Sequence, residues 1–182
     1  MSFRAFIAVD VRCGEELRKA IEALRGYGRP LKPVSPDIVH ITLKFLGDTD
    51  EKIVPEIETV MRRAVADAPP FHIGLVGTGV FPNTRNPRVV WAGMQGAEPL
   101  VKLASSLDEG CETLGFPKEK RAFSPHLTLA RVRKGYKVDL LEFLQSYQGK
   151  EFGTFTVDRI KLKKSVLTPS GPIYSDVIET TL

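Results

Sequence analysis

The order of predicted strands and helices repeats once along the 182-residue chain. Alternating apolar residues indicate strands, and apolar residues spaced by three or four positions indicate helices. The predicted strands cover residues 3–9, 38–46, 71–77, 88–94, 126–132, 152–160, 161–167 and 173–181. The predicted helices cover residues 14–26, 51–67, 97–115 and 138–147. Each half therefore reads strand, helix, strand, helix, strand, and a shift of 86 positions aligns the two halves.

This repeat predicts a single bilobal α+β domain over residues 1–182, with pseudo-two-fold related lobes. Antiparallel sheets are expected to flank a central cleft, with the helices on the outside. The half-repeats span about 1–80 and 86–165, and the C-terminal strands continue to residue 182. The intervening loop at 77–87 is short for a linker between independent domains. Gly74, Gly77 and Gly79 are interpreted as a turn, because no helix follows them as a nucleotide-binding glycine motif requires.

The composition excludes several classes of protein. Hydrophobic residues make up 42% of the chain and the net charge is +4, which is typical of a globular domain and not of a disordered one. The first apolar run is short and interrupted by charge, and no stretch approaches the roughly 18 apolar residues of a membrane span. Cys13 and Cys111 are far apart and lack a C-x-x-C pattern. We therefore expect a cytoplasmic protein with free thiols and no membrane partner.

Two of the three histidines have a threonine two residues later, in His40-Ile41-Thr42 and His126-Leu127-Thr128. On an alternating strand, each histidine and its threonine project from the same face. The two motifs occupy equivalent places in the repeat, so a pseudo-two-fold axis would bring them together across a cleft. His72 lacks the threonine and is interpreted as structural.

Such a pair of motifs is suited to chemistry at phosphorus. Two histidines can remove and supply a proton near neutral pH. Two threonine hydroxyls can hydrogen-bond the non-bridging oxygens of a phosphate between them. No carboxylate cluster stands beside either motif in the sequence, so we predict no metal and no cofactor. Without a metal, a strained cyclic phosphodiester is the favoured substrate.

Further residues near the motifs are candidates for substrate binding. Basic residues gather around the second motif and indicate either a nucleic-acid-binding rim or a solvated face. They are Lys118, Lys120, Arg121, Arg131, Arg133, Lys134 and Lys137. Phe45 and Phe81 could stack a base, and Lys44 is a further candidate. Strict alternation puts Phe45 on the core face, and it puts Arg131 opposite His126 unless a bulge intervenes.

The chain resembles the two-histidine phosphoesterase superfamily, and within it the RNA 2′,3′-cyclic phosphodiesterases of the LigT/ThpR type, also known as 2′-5′ RNA ligases. The resemblance covers nearly the whole chain. It is carried by RAFIAVD (4–10), HITLKFLG (40–47), FPNTRNPRVVWAG (81–93) and FSPHLTLARV (123–132). The paired motifs are the most specific part of this match.

The resemblance implies metal-independent hydrolysis of a 2′,3′-cyclic phosphate on RNA or a nucleotide to a 2′-phosphomonoester. His40 corresponds to the proton donor to the 3′ leaving oxygen, and His126 to the proton acceptor that activates water. Thr42 and Thr128 would hold the phosphate, and Arg131 matches a position near the substrate. The symmetry of the motifs means that the sequence itself does not assign the two histidine roles.

Two alternatives remain open at this point. The same site could serve RNA 2′-5′ ligation as its physiological direction, because an enzyme catalyses a reaction both ways. A non-catalytic RNA-binding module would use the basic rim and leave the paired motifs unexplained. A monomer is expected in each case.

Overall fold

The computed structural model describes residues 1–182 and contains nine strands and four α-helices. The strands are β1 (Ser2–Asp10), β2 (Leu31–Pro33), β3 (His40–Asp50), β4 (Phe71–Phe81), β5 (Val89–Gln95), β6 (Leu127–Val132), β7 (Glu151–Val157), β8 (Arg159–Thr168) and β9 (Gly171–Thr181). The α-helices are α1 (Glu15–Arg25), α2 (Val54–Val65), α3 (Glu98–Glu112) and α4 (Leu141–Ser146). Short 3-10 turns precede β3 and α2. None of the helices combines the length and the apolar character needed to cross a bilayer.

Two antiparallel sheets flank the central cleft. One sheet has four strands in the order β3-β1-β8-β9, and the other has five in the order β2-β6-β5-β4-β7. Helices α2 and α3 pack together over the four-stranded sheet, while α1 packs over the five-stranded sheet beside α4. The α+β class with outer helices that the sequence predicts is confirmed.

Each helix buries one apolar face against its sheet, as α1 illustrates. Leu17, Ala20, Ile21 and Leu24 recur at helical spacing and are fully buried, while the opposite face carries charged residues. Each such leucine or isoleucine stabilises the fold by roughly 1.5–3 kcal/mol through burial. These residues belong to a hydrophobic cluster of 40 buried side chains.

The sheets do not coincide with the two halves of the sequence. The strand β4, from the predicted first half, pairs with β5 and β7 of the second half. The last strands, β8 and β9, return to the first sheet, where β8 pairs with β1. The predicted strand at 152–160 is also divided, because β7 ends at Val157 and β8 begins at Arg159. Local periodicity identifies a strand but not the sheet that it joins.

The predicted glycine turn is wrong, because Gly74, Gly77 and Gly79 all lie within β4. Gly77 has a φ of 65° at a bulge against β5, a conformation that favours glycine. Gly79 leaves room for the indole of Trp91, since a Cβ there would lie 2.2 Å from the ring. The glycines therefore shape a strand rather than end it.

The two cysteines are free thiols, as expected. Cys13 is partly exposed, whereas Cys111 is buried in α3. Burial raises the pKa of the Cys111 thiol to about 11.

Candidate functional site

The two motif histidines have the same local geometry. His40 is the first residue of β3, and its Nδ1 lies 2.9 Å from the carbonyl oxygen of Ile38. His126 directly precedes β6, and its Nδ1 lies 2.8 Å from the carbonyl oxygen of Ser124. A carbonyl oxygen can only accept, so Nδ1 carries the proton that is donated. In each neutral ring, Nε2 is then the nitrogen with a free lone pair.

Both motif strands contain a β-bulge immediately after the threonine. The extra residue is Leu43 in β3 and Leu129 in β6, again 86 positions apart. In the four-stranded sheet, Thr42 is paired with Ala8 and Lys44 with the next residue, Ile7, so Leu43 has no partner in β1. In the five-stranded sheet, Thr128 is paired with Trp91 and Ala130 with Val90, so Leu129 has no partner in β5. Because an extra residue reverses the alternation, Phe45 and Arg131 return to the face of the threonines.

Phe45 therefore lies on the cleft face, and the prediction from strict alternation that it is a core aromatic is wrong. Its side chain is 57% exposed, and its ring centroid lies 6.2 Å from that of Phe6. Phe6 in turn lies 5.0 Å from the ring of His40. Arg131 is exposed on β6, and its charge acts on His40 to lower the histidine pKa. The bulge at Leu129 is the one that Arg131 needs in order to share the face of the second motif.

Lys44 is not a cleft residue, so its prediction as a substrate-binding residue is wrong. The bulge turns it towards the helix layer, where the residue is 2% exposed. Its Nζ donates to Oδ1 of Asp108 at 2.5 Å and to the carbonyl oxygen of Pro117 at 2.6 Å. Lys44 therefore ties β3 to α3 and to the segment that follows it.

Aromatic rings surround His40. Phe6 of β1 packs at 5.0 Å between centroids, and Tyr174 of β9 meets the imidazole edge-on at 5.1 Å. Burial lowers the pKa of His40, and the positive charges of Lys163 and Arg131 act in the same direction. The Ile38 carbonyl and the Asp10 carboxylate oppose this shift only in part. The His40 pKa in the free protein therefore lies below the usual value for a histidine.

The fold brings carboxylates beside the first motif, which the sequence pattern did not predict. Asp10 is the cross-strand partner of His40, and it accepts from Lys161 at 2.9 Å and Lys163 at 2.8 Å. Asp176 of β9 bridges the same two lysines, with both distances at 2.6 Å. Burial acts to raise the pKa of Asp176, yet the two lysines hold it below its usual value. Each of these carboxylates thus has ammonium partners.

The side-chain positions do not form a metal-binding cluster. No three His, Cys, Asp or Glu side chains come together in an arrangement that could hold a metal ion.

His126 lies in a second aromatic environment. Phe81 is the last residue of β4 rather than a loop residue, and its ring meets the imidazole edge-on at 5.1 Å. Trp91 pairs with Thr128 across the strands and lies 5.2 Å from Phe81. The Nε1 of Trp91 is buried without a hydrogen-bond partner in the protein. Phe81 therefore lies beside the second motif, and its role in base binding stays a prediction.

Besides these carboxylates, three aromatic site residues were not predicted from the sequence: Phe6, Trp91 and Tyr174. Phe6 and Trp91 lie on the strands that pair with the motif strands, so their faces could be found only once the register was known. Tyr174 comes from the last hairpin, which no local pattern connects to the motifs. His72, by contrast, is exposed and its Nδ1 lies 3.0 Å from Oγ1 of Thr156, consistent with its structural interpretation.

Comparison with known proteins gives a consistent result. Residues 14–166 match the family model of the 2′-5′ RNA ligase superfamily. An RNA 2′,3′-cyclic phosphodiesterase from Methanothermobacter thermautotrophicus is 40% identical over 180 residues, covering 97% of each protein. The protein of the same name from Archaeoglobus fulgidus is 38% identical, over 96% of this chain and 97% of the relative.

Solved structures show the same architecture. A crystal structure of a Thermus thermophilus protein superimposes with a TM-score of 0.79 at 33% identity, covering 98% of this chain and 97% of its own. Escherichia coli LigT complexed with 3′-AMP gives a TM-score of 0.76 at 26% identity, covering 100% of this chain and 99% of its own.

Proposed function

The chain belongs to the 2′-5′ RNA ligase superfamily, and on that premise we propose that it hydrolyses RNA 2′,3′-cyclic phosphates to 2′-phosphomonoesters. The observation that carries this proposal is the duplicated motif. His40 and His126 both direct Nδ1 to the carbonyl oxygen two residues earlier, and each precedes a threonine on a bulged strand. Relatives covering nearly the whole chain are named RNA 2′,3′-cyclic phosphodiesterases, which supports the same activity.

The proposed reaction needs one proton acceptor and one proton donor. Nε2 of His126 removes a proton from water as the water oxygen bonds to phosphorus. The bond from phosphorus to O3′ breaks, and protonated His40 supplies the proton that O3′ takes up. One water is consumed, and the products are a 2′-phosphate and a free 3′-hydroxyl. Proton exchange with solvent then restores both rings.

The depressed pKa of His40 couples its protonation to substrate binding. In the free protein the His40 pKa is lowered by partial burial beside aromatic rings and by the nearby charges of Lys163 and Arg131. A cyclic phosphate carries a negative charge, and an opposite charge nearby favours the protonated imidazole. Binding of the phosphate would therefore raise the His40 pKa and favour the protonated form that the role of donor requires.

Thr42, Thr128 and Arg131 would hold the phosphate during this reaction. The threonines share the faces of their histidines, and Arg131 lies three residues beyond Thr128 on the same face because of the Leu129 bulge. Hydroxyl groups and a guanidinium can donate to the non-bridging oxygens, where negative charge accumulates in the transition state. We propose no metal and no cofactor for this step.

Ligation of RNA ends through a 2′-5′ linkage is a second candidate. The matching family model carries the name 2′-5′ RNA ligase superfamily. In this reaction the 5′-hydroxyl of another RNA takes the place of water: its oxygen bonds to phosphorus as the bond from phosphorus to O3′ breaks, and the same two histidines accept and supply the protons. The ratio of joined to hydrolysed product at cellular RNA concentrations distinguishes the two reactions.

The test is incubation with adenosine 2′,3′-cyclic phosphate in the presence of EDTA, followed by identification of the phosphomonoester. We expect 2′-AMP at a rate that EDTA does not change. His40→Ala and His126→Ala should each reduce kcat/KM by about 10²–10⁴-fold, the range for loss of a general acid or base. His72→Ala is the matched control, since this exposed histidine bonds Thr156, and it should retain full activity.

Several outcomes would refute the proposal. Full activity in a His40→Ala/His126→Ala double variant would exclude paired-histidine catalysis. A rate abolished by EDTA and restored by a divalent cation would exclude the metal-independent mechanism. A pH profile flat from pH 5 to 9 would also contradict it, because two titrating histidines give a bell-shaped profile.

A further inference from the structure

A shallow pocket of about 460 Å³ opens beside Phe45, outside the histidine pair. One wall consists of Phe45, Leu46 and Gly47 of β3, and the other of residues 117–121, between α3 and β6. Its size falls within the range of about 300–1,000 Å³ that small-ligand sites occupy. We call residues 117–121 the basic segment.

The pocket lies beside the edge of the four-stranded sheet. β3 is an edge strand of the four-stranded sheet, and α3 packs on the helix side of β3. The basic segment follows α3, lies opposite residues 45–47 in the middle of β3, and is followed five residues later in the chain by His126. The pocket therefore shares β3 with the first motif, and its other wall precedes the second motif in the chain.

Buried Lys44 fixes the basic segment in place. Its Nζ donates to the carbonyl oxygen of Pro117 and to Asp108. Oδ1 of Asp108 also accepts the backbone N–H of Glu119 at 3.1 Å. The wall opposite Phe45 is thus held by hydrogen bonds that reach into the protein interior, so little order would need to be gained on binding.

The rim of the pocket carries a net positive charge. Oε1 of Glu119 lies 3.7 Å from Nζ of Lys44, and Nζ of Lys118 lies 3.4 Å from Oε2 of Glu112, so both of these charges have a partner. Lys120 and Arg121 are exposed and form no ion pair. Unpaired basic side chains beside an exposed aromatic ring are the combination that binds single-stranded nucleic acid, through the phosphate and by base stacking.

We propose that this pocket binds the nucleotide on the 5′ side of the terminal cyclic phosphate. Phe45 lies three residues beyond Thr42, at most about 10 Å along the strand. With the terminal cyclic phosphate at Thr42, the base of the preceding nucleotide would stack on Phe45. The phosphate that links the last two nucleotides would lie towards Lys120 and Arg121. The preferred substrate is then an RNA end of two or more nucleotides, not a cyclic mononucleotide. This inference rests on the proposed function.

The test compares kcat/KM for adenosine 2′,3′-cyclic phosphate with that for a tetranucleotide ending in a 2′,3′-cyclic phosphate. The wild-type protein should favour the tetranucleotide by tenfold or more. Lys120→Ala/Arg121→Ala should reduce kcat/KM at least tenfold more for the tetranucleotide than for the mononucleotide. For the tetranucleotide, it should also make the slope of log(kcat/KM) against log[salt] less negative by about one unit.

The matched control is Arg63→Ala/Lys102→Ala, which removes two exposed positive charges on the outer helices. This control should retain the wild-type preference. Equal wild-type efficiencies on the two substrates would overturn the pocket assignment, as would equal losses on both in Lys120→Ala/Arg121→Ala. Absence of hydrolysis of either substrate would refute the proposed function and this assignment with it.

Discussion

Replacement of Lys44 by methionine should lower the free energy of unfolding by about 3 kcal/mol at pH 7. The lysine side chain is 1% exposed, and its ammonium holds Asp108 and the carbonyl of Pro117. Removing one partner of a buried ion pair typically costs roughly 3–5 kcal/mol. We expect the lower end because the Asp108 side chain keeps 15% exposure and still accepts the N–H of Glu119.

The deficit should depend on pH. Burial alone would raise the pKa of Asp108, but the hydrogen bond from Lys44 and that from the Glu119 backbone hold it below its usual value. This depressed pKa stabilises the folded protein above the unfolded pKa of about 3.9, and the contribution is lost as pH falls through the folded pKa. In Lys44→Met, burial would instead raise the Asp108 pKa. Protonation then relieves the unpaired charge, so the deficit relative to the wild-type protein should shrink from pH 7 to pH 4.

Urea and thermal unfolding followed by circular dichroism measure these differences. At pH 7 we expect the melting temperature of Lys44→Met to fall by about 6–12 °C for a chain of this size. Lys44→Met/Asp108→Asn should recover to within about 1 kcal/mol of the wild-type protein, since no buried charge is left unpaired. Lys102→Met, at an exposed position, should change the stability by less than about 0.5 kcal/mol. A Lys44→Met deficit below about 1 kcal/mol, or one equal at pH 7 and pH 4, would refute the reasoning.

Three further predictions concern the cleft. NMR titration of His40 should give a midpoint below the usual 6.5, and Lys163→Met should raise it because the Lys163 charge lowers the His40 pKa; an unmoved midpoint contradicts this. Gly79→Ala should destabilise the protein by about 1–3 kcal/mol, because the ring of Trp91 occupies the space of the new Cβ. The fluorescence of Trp91 should shift as well, and unchanged stability and emission would contradict this prediction. Phe45→Ala should change the unfolding free energy by less than about 0.5 kcal/mol because Phe45 is exposed, and a larger loss in urea unfolding would show that it is a core residue.

The sequence was sufficient to predict the α+β class and the faces of the two histidines and threonines. Alternation held from His40 to Thr42, where no extra residue interrupts the strand. It failed at Lys44 and Phe45, because the bulge at Leu43 exchanged their faces. A leucine in a bulge looks like any other apolar strand residue, so periodicity alone could not reveal it.

The surroundings of the motifs depended on long-range pairing that local patterns do not contain. Asp10 and His40 are cross-strand partners, and Lys163 reaches Asp10 from β8, far along the chain. The network beside His40 therefore became visible only with the sheet order. The same is true of Tyr174, which β9 brings to the imidazole.

The sheet order also has a consequence for the order in which the protein is assembled during synthesis. All strands of the five-stranded sheet lie between residues 31 and 157, so that sheet can form before β8 and β9 have been made. The four-stranded sheet needs both ends of the chain, since β1 pairs with β3 on one side and β8 on the other. Until β8 has been synthesised, the side of β1 that faces away from β3 has unpaired backbone groups. Such an exposed strand edge can pair with other chains and lead to aggregation. We expect a chain cut after residue 158 to keep the second motif on a formed sheet and to leave the first on an exposed one.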